Sequence, residues 1–276
     1  MELRRFSAIA RPVDPRFPTN RAIGALAIAV ISCEFVWRLV SGSDLLSSGW
    51  AAVGFGLTVF LAWALCREID PDRDLSAFVA ACVALVGKLL WGTPDLAVIF
   101  WLVLSVRIVN RSTGLRATIL DSVGIAALAT WLAFRVWWPI GALTVLAFLM
   151  DGWLQPPNIR QRIFGLVVAP ITLVAAAVSW QTWHSNGPTW ASGVVGLLLC
   201  LSFVPVLLAS REMTTLADDT KERLSTSRVR AGQILVLLTG ITGVFWGGAE
   251  NLVMLWPLWS AVLGASAYLL IKSVVD

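Results

Sequence analysis

Two sets of ionisable residues stand where charge is expensive. Glu34 and Arg38 lie one helical turn apart in an apolar run, so one helix face carries both and they can pair. Lys88 and Glu250 stand in or beside two other apolar runs. An ionisable group in a membrane persists when it pairs, lines water or does work. These four residues form the first expected binding set, for a proton or a small-molecule solute, with Glu34 as the titrating group. The simpler alternative is that Arg38 and Lys88 snorkel to the interface and Glu34 neutralises Arg38.

The second set is Asp70, Asp74, Arg111 and Asp151. Asp70 and Asp74 belong to the segment Arg67-Glu68-Ile69-Asp70-Pro71-Asp72-Arg73-Asp74, whose carboxylates can hold a hard cation through oxygen. An EF-hand loop is excluded, because Leu75 stands where that loop needs glycine and Ala81 where it needs glutamate. The alternative is a solvated turn in which Asp72 or Asp74 caps the next helix. Asp151 lies near the C-terminal end of an apolar run, where the helix dipole opposes a negative charge. It needs a cationic partner, available from Arg107, Arg111, Arg160 or Arg162. Asp121, at the start of a run, sits where the dipole favours it. Asn110, Asn158 and the neighbouring arginines can form a phosphate-binding rim, or simply meet anionic lipid.

Asp70-xxx-Asp74 resembles part of the aspartate motif of UbiA-type intramembrane prenyltransferases. The resemblance covers five residues, without the preceding Asn-Asp and without a second aspartate-rich loop. It implies Mg²⁺ holding a diphosphate, and hence an enzyme acting on a phosphorylated lipid.

The elements that position these residues follow from composition. Of 276 residues, 58% are hydrophobic and 14% charged, and mean hydropathy is +0.79. Soluble domains carry about 25% charged residues, so the bilayer is the natural solvent for this chain. Crossing the hydrocarbon takes about 20 apolar residues. Ten runs qualify, near 22–41, 50–66, 75–91, 95–110, 117–134, 137–154, 163–181, 190–210, 230–249 and 252–273. The expected fold is therefore all-α: one polytopic membrane domain over 22–273, preceded by a basic segment 1–21.

Charge orients it. With the N-terminus inside, 18 of the 21 Lys and Arg residues fall in inside segments. The positive-inside rule then places both ends in the cytoplasm. Twelve of the 15 tryptophans fall at or near the opposite ends of the runs, as a one-sided aromatic belt would require. The inside loop 211–229 is long and polar, and it predicts a helix lying on the membrane. Pro170, Pro205 and Pro257 predict kinks, and Gly240, Gly243, Gly247 and Gly248 give the ninth run a close-packing face. Arginine outnumbers lysine 18 to 3, which points to the plasma membrane of a GC-rich prokaryote.

Several functions are excluded. His184 is the only histidine, which removes HExxH zinc chemistry and His-dependent serine catalysis. Cys33, Cys66, Cys82 and Cys200 lie in apolar runs and read as small hydrophobes. No basic stretch is interleaved with stacking aromatics, so nucleic acid is not an expected partner. Short loops, kinked helices and a five-plus-five count lead to a small-solute transporter with no cofactor. In count and orientation the chain resembles the drug/metabolite transporter superfamily, with none of that family's sequence motifs. The alternatives are the phosphorylated-lipid enzyme, with Mg²⁺, and a non-catalytic assembly component.

Overall fold

The computed structural model describes residues 6–11, 13–183 and 189–275; the side chains of residues 180–183 and 275 are not described. His184 lies outside the described residues, with most of the stretch between the expected runs 163–181 and 190–210. The chain is all-helical, 78% helix, with no strand among the described residues. Among the described residues ten helices follow one another from Pro18 onward: α1 Pro18–Val40, α2 Leu45–Ile69, α3 Ser76–Trp91, α4 Leu96–Asn110, α5 Ile119–Arg135, α6 Pro139–Trp153, α7 Ile159–Trp183, α8 Trp190–Ala209, α9 Thr226–Met254 and α10 Trp256–Val275. Six of them, α1, α2, α7, α8, α9 and α10, contain segments long and apolar enough to cross a membrane.

The helix starts are written locally. Pro18 occupies the first turn of α1, where a missing N–H costs nothing. Asp44 caps α2 by accepting from the Leu46 and Ser47 amides, and Asp95 caps α4 by accepting from Ala97 and Val98. Thr118 and Asp121 form a capping box at α5. Neither Asp72 nor Asp74 caps α3, contrary to expectation. Leu75 holds that position, while Asp72 accepts from the Thr214 and Thr215 amides and Asp74 pairs with Arg67.

Burial sorts the helices. α2 and α9 are largely enclosed, whereas α1, α7 and α8 expose most of their apolar length. α3 packs most extensively on α10, α6 on α7 and α1 on α2, while α9 contacts α2, α4, α6, α8 and α10. Backbones meet closely between α3 and α10: a Cβ on Gly264 would lie 2.5 Å from the Ala80 amide nitrogen. The two halves are only partly alike. α1 on α2 is matched by α6 on α7, and α10 on α2 by α5 on α7. The dominant α3–α10 contact has no counterpart of similar extent between α8 and α5.

Other expectations are corrected. α9 does not stop near residue 249; it breaks at Gly248 (φ 55°, ψ −131°) and resumes to Met254. Asn251 then donates back to the Gly243 carbonyl at 2.9 Å. Pro257 falls in the first turn of α10, where proline fits, so it kinks nothing. Trp259 and Trp137 are core residues; Trp259 is fully buried, edge against Gly240. Trp37, Trp50, Trp91, Trp131 and Trp190 are exposed, as belt residues would be. Loop 211–225 is not a surface helix. It doubles back through a Leu216–Arg223 bridge and buries Met213, Ala217 and Leu224 with Val229. Its apolar residues are too few and irregularly spaced for a helical stripe.

Candidate functional site

One end of the bundle gathers most of the charge. It is built by the C-terminal ends of α2, α4 and α6, the N-terminal ends of α5, α7 and α9, and the segments 6–11, 13–17, 70–75, 111–118 and 211–225. We call it the basic face. Helix C-termini leave carbonyls unpaired and carry partial negative charge, so buried ends call for donors. Here other helices supply them. Asn110 donates to the Glu68 carbonyl at 2.7 Å, and Gln233 to the Ile69 carbonyl at 2.7 Å.

Arg228 does most of this work. Its guanidinium reaches the carbonyls of Val109 (3.0 Å), Leu154 (2.5 Å), Gln155 (3.0 Å) and Pro156 (2.9 Å), and Asp151 Oδ1 at 2.8 Å. Asp151 is fully buried and also accepts from Arg111 Nε at 2.7 Å and, through Oδ2, from Asn158 at 3.3 Å. Arg111 ends α4 in the left-handed region (φ 51°), a conformation costing an arginine roughly 1 kcal/mol or more, which the ion pair offsets. The expected pairing of Asp151 with Arg111 is therefore present in the geometry. Arg228, 77 residues further along, was not legible as a partner. The donors of this cluster are turned toward helix ends.

A second cluster faces a cavity. Glu68, 1% exposed, accepts at Oε1 from Arg11 and from Arg107, each at 3.0 Å. Arg11 also grips Asp218 through two bonds, at 2.6 and 3.0 Å. Burial disfavours the Arg11 charge, but Glu68 and Asp218 outweigh that cost and push its pKa up. The segment carrying Arg11 is laid across the basic face by further bonds. Ser7 Oγ and the Ala8 amide donate to Asp121 at 2.5 and 2.9 Å, and Thr113 donates to the Ala8 carbonyl at 2.7 Å. Asp218 and Asp219 amides donate to the carbonyls of Ser112 and Thr113.

The cavity beneath has a volume of about 600 Å³. It lies among segment 11–20, α2 and loop 215–221, and its wall follows α2 from Glu68 to Phe60. Eight residues of helix make that depth roughly 12 Å. Four cations line it, Arg11, Arg67, Arg107 and Lys221, against five carboxylates, Asp14, Glu68, Asp72, Asp74 and Asp218. Phe17, Phe60 and Trp63 give it an aromatic side, with the Arg67 guanidinium 5.8 Å from the Trp63 ring centre. Two buried polar atoms of its wall have no hydrogen-bond partner: Glu68 Oε2 and Trp63 Nε1.

The predicted residues separate cleanly. Glu34 and Arg38 are brought together at 2.7 Å. Lys88 is buried and lies 5.4 Å from the Phe55 ring centre, while Glu250 is exposed beyond the Gly248 break. No hydrogen bond or ion pair among the described residues joins Lys88 or Glu250 to the other two. Asp70 pairs with Arg73 at 2.7 Å and Asp74 with Arg67, so the two aspartates turn to different arginines. Burial pushes the Asp70 carboxyl up, and Arg73 only partly offsets it. Among the described residues no three of His, Cys, Asp and Glu are grouped to hold a metal ion. Asp70 and Asp74, the pair on which the aspartate motif would place Mg²⁺, are each held by an arginine here. Of the eight predicted residues, only Asp74 lines the cavity.

Glu68, Arg11 and Asp218 were missed as a set. The one available signal was position: Glu68 follows Leu61 and Leu65 on the enclosed side of α2, so its charge is buried and needs partners. Compared with known proteins, the chain matches no family model, no curated protein and no solved structure.

Proposed function

We propose that this chain is a small-solute transporter of the plasma membrane, with ten membrane-spanning helices and both termini on the cytoplasmic side. One observation carries it: a charged cavity of about 600 Å³ opens at the basic face and follows α2 inward past Trp63. A lipid-exposed charge is costly, whereas a charge lining a water-filled passage is not. α3, α4, α5 and α6 have 15 to 17 residues each, short of the roughly 20 that a span needs. α4 and α6 are mostly enclosed by their neighbours, so their short apolar length meets protein more than lipid. The positive-inside distribution supplies the orientation. A lipid-phosphate enzyme has less support, because Asp70 and Asp74 are committed to separate arginines.

The test is flux into proteoliposomes holding the purified chain, with amines, amino acids and organic phosphates as separate solutes. Saturable uptake of one class, lost in Trp63→Ala and retained in Asp70→Ala, is the expected result. Uptake no faster than into empty liposomes for every class overturns the proposal. Mg²⁺-dependent thermal stabilisation that disappears in Asp70→Ala would transfer support to the enzyme. Glu34→Gln tests the outer pair separately: loss of pH-gradient-driven uptake there would move the coupling site to α1.

A further inference from the structure

We infer that the basic-face cavity binds an organic cation of the guanidinium or alkylammonium class, and that Arg11 is its built-in competitor. The inference rests on the cavity being the solute site, and it names the solute's chemistry.

The lining argues first. Five carboxylates against four cations leave a formal charge of −1 on a site whose face is otherwise basic. A polyanion such as a diphosphate meets net repulsion there, whereas a cation is drawn in. The aromatic side argues next. Phe60 and Trp63 stand 5.8 Å apart, ring centre to ring centre, and a cation over such rings is stabilised by their negative faces. Arg67 already holds that position over Trp63. Third, Glu68 is buried with Oε2 unpartnered, a carboxylate oxygen ready to accept from a charged donor.

Arg11 shows what fits. Its guanidinium sits in the cavity wall, bonded to Glu68 Oε1 on one side and to both oxygens of Asp218 on the other. It is delivered by a segment tied down by side-chain bonds at Ser7, Ala8 and Thr113. If the stretch up to Arg11 lifts while Asp14 stays tied to the start of α1 through Phe17 and Asn20, Arg107 still neutralises Glu68, and the lining falls to a formal −2, with three cations left. A free guanidinium or ammonium can then replace Arg11 on Asp218 and Glu68. Ligand and segment compete for one pair of carboxylates, so the ligand's apparent affinity is lowered by the fraction of time Arg11 is seated.

Benzylguanidinium, which carries both a planar cation and a ring, is the probe, with inorganic phosphate as the control. Binding to the purified full chain in detergent is measured by calorimetry. The wild type should bind the probe, Arg11→Gln should bind it on the order of tenfold more tightly, and phosphate should not compete. Equal or weaker binding by Arg11→Gln, no binding by either protein, or displacement by phosphate would each overturn the inference. A measurement on the wild type alone guards against a misfolded variant. Saturating probe should speed hydrogen exchange at the Ala8 and Ala10 amides, which the seated segment protects through Asp121 and Ser7; unchanged exchange refutes the competition. Probe binding without flux of any solute keeps this inference and overturns transport. Flux of another solute class without probe binding does the reverse.

Discussion

Replacing Arg228 with methionine keeps most of its volume and removes five hydrogen bonds at once. Four of them cap carbonyls at the ends of α4 and α6, that of Val109 buried, that of Leu154 half-buried and those of Gln155 and Pro156 on exposed residues. Each carbonyl left bare costs about 1–3 kcal/mol, less where water can reach it. Losing one partner of a buried ion pair costs about 3–5 kcal/mol, but Asp151 keeps Arg111 at 2.7 Å, which holds that term to the lower end. The two contributions overlap, and a net loss of about 4 kcal/mol is expected. Asp151→Leu should be worse, because it strands two buried guanidinium groups instead of one carboxylate. Arg111→Met should be mildest, since Arg228 continues to hold Asp151 and the carbonyls. In the double variant Asp151→Leu/Arg228→Met the damage should fall short of the sum of the singles by about 1–3 kcal/mol, as for residues in one network. Reversible unfolding in mixed micelles gives all four values. If Arg228→Met loses less than about 1 kcal/mol, or if the order of the three single variants is reversed, the cluster is not the staple that the hydrogen bonds describe.

Gly264→Leu should separate α3 from α10. Its Cβ would meet backbone of Ala80 at 2.5 and 2.7 Å, where no flexible side chain can yield, so a loss of about 1–3 kcal/mol and weaker cross-linking of cysteine pairs placed on the two helices are expected; unchanged cross-linking would show that the helices do not meet there. At Asp72, burial raises the carboxyl, but hydrogen bonds from Thr215 and Thr214 together outweigh it and leave the pKa lowered. A lowered folded pKa stabilises above the unfolded value and loses that contribution as pH falls through the folded one. Loop 211–225 should therefore become protease-sensitive only below the ordinary carboxylate range, and Asp72→Asn should be sensitive at neutral pH as well. Reporter fusions ending in the loops after Val40 and after Ile69 should report opposite sides of the membrane, with the Ile69 fusion cytoplasmic; matching signals would undo the proposed orientation.

How the chain divides between local and distant information is visible in single residues. The helices were legible because an apolar run of sufficient length, once in a bilayer, has no alternative that satisfies its backbone. Their starts are fixed locally where Asp44, Asp95 and Thr118 place an acceptor two or three residues ahead of free amides, but hydropathy alone put the start of α2 near residue 50 instead of Leu45. Asp151 announced its need for a cation through its place at a helix end, and Arg111 was among the nearby choices. Its other partner, Arg228, was beyond reach, because nothing in a run of hydrophobicity says which helix end another helix will meet. Glu68 shows the same limit. Its burial, its two arginines and its free oxygen depend on Arg11, 57 residues away, and on Asp218, which lies 207 residues from Arg11. Trp259 looked like a belt residue by position and became core by packing, because Gly240 leaves the space its ring fills. Charge and hydropathy act along the chain and can be read along it. Which carboxylate meets which guanidinium is decided by helix packing, and so the cavity, its charge and its competitor belong to the tertiary structure alone.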